Sequence, residues 1–183
     1  SLHHELVDKL NFDFSNPKQS LGKREVLSRA FNDLKLKLLR ANQSRTLGDF
    51  GTYNYSLKLP ENIEVSKERM NKVYREFYYD DYKQILSHYF RNVYHIFKFI
   101  YKSELIKKSK KQFYASLVRA QLSSDELYII FYNSLQEGLG YPNFLFLIQE
   151  FDIMQNFDFR IIEERLFHKE IYENLLADLK PTF

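Results

Sequence analysis

The stretch Tyr82–Ser103, YKQILSHYFRNVYHIFKFIYKS, contains neither Gly nor Pro and sets the fold class. Its Tyr82, Leu86, Tyr89, Val93, Ile96, Phe97 and Ile100 recur at steps of three and four, which predicts a helix with one apolar stripe. Tyr94, Phe99 and Tyr101 flank the stripe, so this helix is expected to be central and covered on both sides. Downstream, the basic segment Glu104–Lys111 predicts a helix end or an inter-helix turn, after which Phe113, Leu117, Ala120 and Gln121 continue as helix. Ser123 followed by Glu126 reads as a capping box that opens a helix ending at Gly138. Gly140-Tyr141-Pro142 makes a turn, with Pro142 suited to the first position of the next helix. The stretches 143–155 and 160–178 are the last helical ones.

Upstream the pattern is weaker. Asp80-Asp81 reads as a break between helices or a cap of the second, and Ser66 as the N-cap of a helix over 67–79. Residues 43–65 are rich in Gly, Ser, Thr and Asn and predict one long loop, although the alternation of Tyr53, Tyr55, Leu57 and Leu59 also suits a lone strand. Val26, Leu27, Ala30, Phe31, Leu34 and Leu38 predict a helix over 23–42, and residues 1–22 a helical turn around His4–Leu10 followed by a loop. With a helical core over 66–178, the expectation is one all-α helical-bundle domain of about six to eight helices.

Composition agrees with that class. The chain has 183 residues, 44% apolar and 28% charged, with 17 Phe and 14 Tyr against five Gly and four Pro. Such a chain is long enough for one core, and its scarcity of breakers argues against a turn-rich sandwich or a Gly-dependent nucleotide fold. The absence of Cys excludes disulfides, thiolate metal sites and cysteine nucleophiles. A net charge of +3 is too balanced for a broad nucleic-acid surface. No apolar run approaches the ~20 residues that span a bilayer, and the chain opens on Ser1, not Met, so a longer natural protein is expected, with any anchor upstream.

The polar face of the 82–103 helix carries the candidate chemistry. His88, Arg91 and His95 fall within about 60° of one another on a helical wheel, with Gln84 and Lys102 on the same face. A guanidinium can hold a phosphate through two parallel hydrogen bonds, and an imidazole exchanges a proton near neutral pH. That pairing suits RNA cleavage without a metal: one His moves a proton at the 2′-hydroxyl or the leaving oxygen, and Arg91 stabilises the phosphorane. The alternative is the plain polar side of an amphipathic helix. Arg119 supports the site or satisfies carbonyls at a helix end, and Asn133 is read as a packing or capping amide. Lys107, Lys108, Lys110 and Lys111 form a solvated turn or a patch for RNA or an anionic membrane surface. No metal ligand set and no cofactor motif is read.

Two runs carry a resemblance: HYFRNVYHIFKFIYKS at His88–Ser103 and FYASLVRAQLSSDELYIIFYNSL at Phe113–Leu135. Together they resemble the bacterial phage abortive infection proteins, in which a Tyr-Phe-Arg-Asn-x-Tyr-His run precedes an Arg-Ala-Gln-Leu-Ser…Phe-Tyr-Asn run. FLFLIQEFDIMQNF and HHELVDKLNF are more loosely similar to flanking segments. The resemblance implies anti-phage defence by a cytosolic sensor or effector domain, attached to the bacterial inner membrane through an upstream anchor and responding to a phage component. A further analogy is to the HEPN-type ribonucleases, whose motif is Arg, a polar residue and then His, with four to six residues between Arg and His. Arg91-Asn92…His95 has the right types but three intervening residues. The analogy implies His95, Arg91 and His88 as catalytic residues, Asn92 and Arg119 in support, and a site completed across a homodimer. The reading from another class is a non-catalytic binding or oligomerisation module that detects a phage protein or relays a signal to the anchor.

Overall fold

Lys23–Ala41 forms α1, with Leu27, Ala30, Leu34 and Leu38 buried at the expected spacing. The computed structural model describes residues 23–47, 52–159 and 167–183, and its fold is all-α apart from one hairpin. The hairpin pairs β1 (Gln43–Leu47) with β2 (Tyr53–Leu57) in antiparallel fashion. Next come α2 (Ile63–Glu76), a π-helical turn (Phe77–Tyr82) and α3 (Lys83–Lys102), in one unbroken helical run. The remaining helices are α4 (Lys108–Arg119), α5 (Ser124–Ser134), α6 (Asn143–Glu150) and α7 (Lys169–Ala177). The helical turn expected around His4–Leu10 lies outside the described residues, as do residues 160–166 of the last expected helix. Among the described residues no helix is long and apolar enough to cross a membrane.

The central helix is α5, not α3. Every residue from Leu127 to Gln136 is buried, and a helix apolar on all sides belongs in the middle of a bundle. It packs between α1 and α6. Phe131 is its hub: the rings of Tyr132, Phe157, Phe159, Phe167 and Tyr172 all lie 5.4–5.7 Å from it. The high Phe and Tyr content is therefore spent largely inside, in edge-to-face and tilted contacts. α3 is amphipathic instead, burying the Leu86–Ile100 stripe and exposing His88, Arg91, Asn92 and His95.

Asp80-Asp81 do not break the chain. Met70, Tyr74, Tyr78, Tyr82, Leu86 and Phe90 are all buried and recur at every fourth residue. In a plain α-helix each four-residue step overshoots a full turn by about 40°, so a stripe of that period winds off its face. Widening Phe77–Tyr82 into a π turn takes up the surplus and keeps the six side chains on the core. α1 clamps the widened turn: the Tyr82 hydroxyl donates to Asp33, and Lys37 pairs with Asp81 at 3.1 Å. Asp81 is thus a contact to α1, and neither aspartate ends a helix.

Two other boundaries differ from expectation. The N-cap of α2 is Asn62, whose side chain accepts from the Val65 N–H at 3.1 Å, so the helix starts a turn before Ser66, and Ser66 is buried inside it. The region expected as a loop over 43–65 holds the hairpin, because alternation on both strands aligns in register. Arg45 faces Tyr55 and Leu47 faces Tyr53 on one side, while Ser44 and Ser56, with hydroxyls 2.7 Å apart, pair on the other. The capping box at Ser123 and Glu126 is present as expected.

Candidate functional site

Arg91 and His95, one turn apart on α3, line a cleft of about 360 Å³. Ser87, Phe90 and Tyr94 complete the α3 wall, and the turn Gly138–Tyr141 with Asn143 and Phe144 of α6 makes the opposite one. The buried Tyr78 and Asn133 also line it. α3 supplies Arg91 and His95 because its Val93, Ile96 and Phe97 are held in the core, which turns the intervening polar positions outward. Both are exposed, and neither forms an ion pair or hydrogen bond among the described residues; the His95 ring rests edge-on against Tyr94, 5.2 Å between centroids.

The rest of the polar lining is fixed by its own contacts. Asn133 donates to the Tyr74 hydroxyl at 3.0 Å, the packing role read for it. Asn143 accepts from the Thr182 N–H at 2.7 Å and donates to its hydroxyl at 3.0 Å. Burial raises the Tyr78 hydroxyl above its usual pKa, its neighbour Tyr79 adds to that, and the Arg91 cation opposes it. Tyr78 is therefore a neutral donor at physiological pH, close enough to Arg91 to feel its charge. The arrangement offers an anion a free guanidinium, a titratable imidazole and a protonated phenol in one concavity.

The structure does not bring all four candidates together. His88 is exposed and outside the cleft lining. On the helical wheel the lining residues of α3 span an arc of about 140° from Phe90 to His95, and His88 lies just beyond its His95 edge. Arg119 is occupied elsewhere: it donates to the Asp152 carbonyl at 2.8 Å, just past the end of α6, while Gln112 donates to the Glu150 carbonyl at 2.7 Å. It thus takes the carbonyl-satisfying role, on a neighbouring helix. Asn92 is exposed and is not among the cleft residues. Of the lysines, Lys111 turns inward to donate to the Tyr101 carbonyl, whereas Lys107, Lys108 and Lys110 stay exposed. Sequence reasoning missed Tyr78 and the 138–141 wall; the every-fourth-residue aromatics and the two closely spaced glycines were their signals.

Those glycines shape the wall. Gly138 has φ +77°, in the left-handed region. A Cβ on Gly140 would lie 2.6 Å from the Asn133 carbonyl oxygen and 2.7 Å from the Ser134 Cα, both backbone atoms of α5. Gly140→Ala is expected to cost about 2–3 kcal/mol, because one of two backbones must move. Urea unfolding checks this, and a change below about 0.5 kcal/mol would mean that the turn shifts freely.

No curated protein and no solved structure matches the chain. A family model does match, over residues 81–162, a span that holds every cleft residue except Tyr78. The family is described as "Putative phage abortive infection protein", so the resemblance read from residues 88–135 is shown across that longer segment.

Proposed function

We propose that this chain is a phage-defence effector that cleaves RNA at the α3 cleft without a metal. The observation that supports the reading is the unpaired Arg91 guanidinium one helical turn from the unpaired His95 imidazole in a single cleft. Arg91 binds two non-bridging phosphate oxygens, and the Tyr78 hydroxyl adds a neutral donor. The ribose 2′-oxygen attacks phosphorus, the bond to the 5′-oxygen breaks, and His95 delivers a proton to that leaving oxygen. Water in the open cleft takes the 2′ proton, and the products are a 2′,3′-cyclic phosphate and a 5′-hydroxyl.

The purified protein is expected to degrade single-stranded RNA in EDTA. His95→Ala should lower the rate at least about 100-fold, as loss of a general acid does. Arg91→Ala should act mainly through weaker phosphate binding. Both side chains are exposed, so the helical circular-dichroism signal should stay unchanged. RNA left intact, or equal rates in His95→Ala and the parent, would sink the reading. A second reading, recognition without turnover, is favoured by the place of His88, which leaves the cleft one imidazole. It predicts RNA or phage-protein binding that Arg91→Ala weakens, with no cleavage.

A further inference from the structure

At the corner between α3 and α4 the chain exposes three large apolar side chains beside three free cations. Leu105 is 84% exposed, Phe113 56% and Leu117 40%. This is not a loose loop. Ile106 is 4% exposed and anchors the connection, so its neighbour Leu105 is held outward. α4 is fixed from behind by Ala115 and Val118 in the core, and by the bonds from Gln112 and Arg119 to the carbonyls at the end of α6. On the helical wheel Phe113 and Leu117 lie within about 40° of each other, roughly opposite the Ala115/Val118 stripe, with Lys110 beside them. The core-facing side of this helix is satisfied, and its outer side is apolar as well.

The charge around this face is of one sign. Lys107, Lys108 and Lys110 are exposed and make no ion pair among the described residues, and Glu104 is the one carboxylate between residues 104 and 111. A rigid helix that presents aliphatic and aromatic side chains amid lysines matches an interface whose outer layer is anionic and whose next layer is hydrocarbon. A nucleic-acid backbone would use the lysines but leave Leu105 and Leu117 in water. We propose that the α3–α4 corner docks on an anionic phospholipid surface, Leu105, Phe113 and Leu117 entering the headgroup–acyl boundary and Lys107, Lys108 and Lys110 pairing with lipid phosphates. This orients the protein on a membrane face independently of any spanning segment, and it does not rest on the ribonuclease reading.

Co-sedimentation with vesicles tests it. The protein should bind mixed phosphatidylcholine–phosphatidylglycerol vesicles, less so as salt rises, and should not bind pure phosphatidylcholine. Changing Lys107, Lys108 and Lys110 together to Gln should weaken partitioning roughly tenfold or more, and so should Leu105→Ser with Phe113→Ser. All five side chains are exposed, so the variants should keep the parent's circular dichroism and urea midpoint. His95→Ala should partition like the parent, which separates this result from the fate of the cleft. Equal binding to both vesicle types, or binding that neither variant reduces, would overturn the proposal. So would absent vesicle binding with a lysine variant that instead loses affinity for single-stranded RNA, which would mark the corner as a nucleic-acid contact.

Discussion

Above about pH 10 the protein should lose stability steeply and unfold. Tyr74, Tyr89, Tyr128 and Tyr132 are each at most 1% exposed. Burial pushes every one of these hydroxyls well above the usual tyrosine value. The Glu126 carboxylate, which accepts from the Tyr89 hydroxyl at 2.9 Å, raises that group further, whereas the Asn133 hydrogen bond offsets only part of the effect at Tyr74. The sign follows from proton counting. The folded state keeps these phenolic protons past the pH at which the unfolded chain releases them, so the unfolded state gains as pH rises. The stabilisation is whole below about pH 10 and fades as pH climbs towards the raised folded values. Each tyrosine contributes on the order of 1 kcal/mol per pH unit in that window, and the four act together against a total stability of about 5–15 kcal/mol. Urea midpoints from pH 8 to 11, read beside phenolate absorbance, should fall in step with it. Phenolate appearing while the helical signal remains intact would contradict the account.

Phe131→Ala should be the most damaging of the single core truncations, at about 4 kcal/mol, equivalent to roughly 10 °C in Tm. Phe131 is fully buried, and its ring neighbours come from three parts of the chain: Tyr132 on α5 itself, Phe157 and Phe159 after α6, and Phe167 and Tyr172 at α7. Surrounding rings cannot all collapse into one cavity, so the transfer loss and the cavity penalty add. Hydrogen exchange should report the consequence unevenly, with α7 losing protection before α3, since α3 packs on the π turn, α4 and α6 and not on this cluster. A loss under about 1 kcal/mol would show that the hub is dispensable.

What the residues revealed in advance follows from where local chemistry decides the outcome. Ser123 and Glu126 specify their helix start by bonds within four residues, and that start is legible. The α3 stripe is legible for the same reason, being one uninterrupted run of a single period. The π turn was not, because its cause is a distant clamp, Asp33 and Lys37 of α1, acting on an every-fourth-residue pattern that either helix type fits imperfectly. The hairpin was missed because its pairing is between strands; each strand alone shows only a weak alternation. At the cleft, the helical wheel put Arg91 and His95 on one side correctly, but it cannot say which arc a neighbouring turn will face. The Gly138–Tyr141 wall faces the Phe90–His95 arc and leaves His88 out, and Arg119 was drawn away by backbone carbonyls whose position depends on how α6 ends.

The widened turn at Phe77–Tyr82 also constrains how the chain can change length. Residues before it point Tyr78 towards the cleft, and residues after it point Arg91 and His95 there. Deleting one residue between Phe77 and Tyr82 would let the run close into plain α-helix and rotate everything downstream by about 100° relative to α2. An insertion there would turn it the other way. Relatives of this protein should therefore tolerate substitutions in the turn, particularly at the exposed Tyr79 and Asp80, but hold its residue count fixed. In an evolutionary sense the turn behaves like a reading frame, in which the number of letters matters more than their identity.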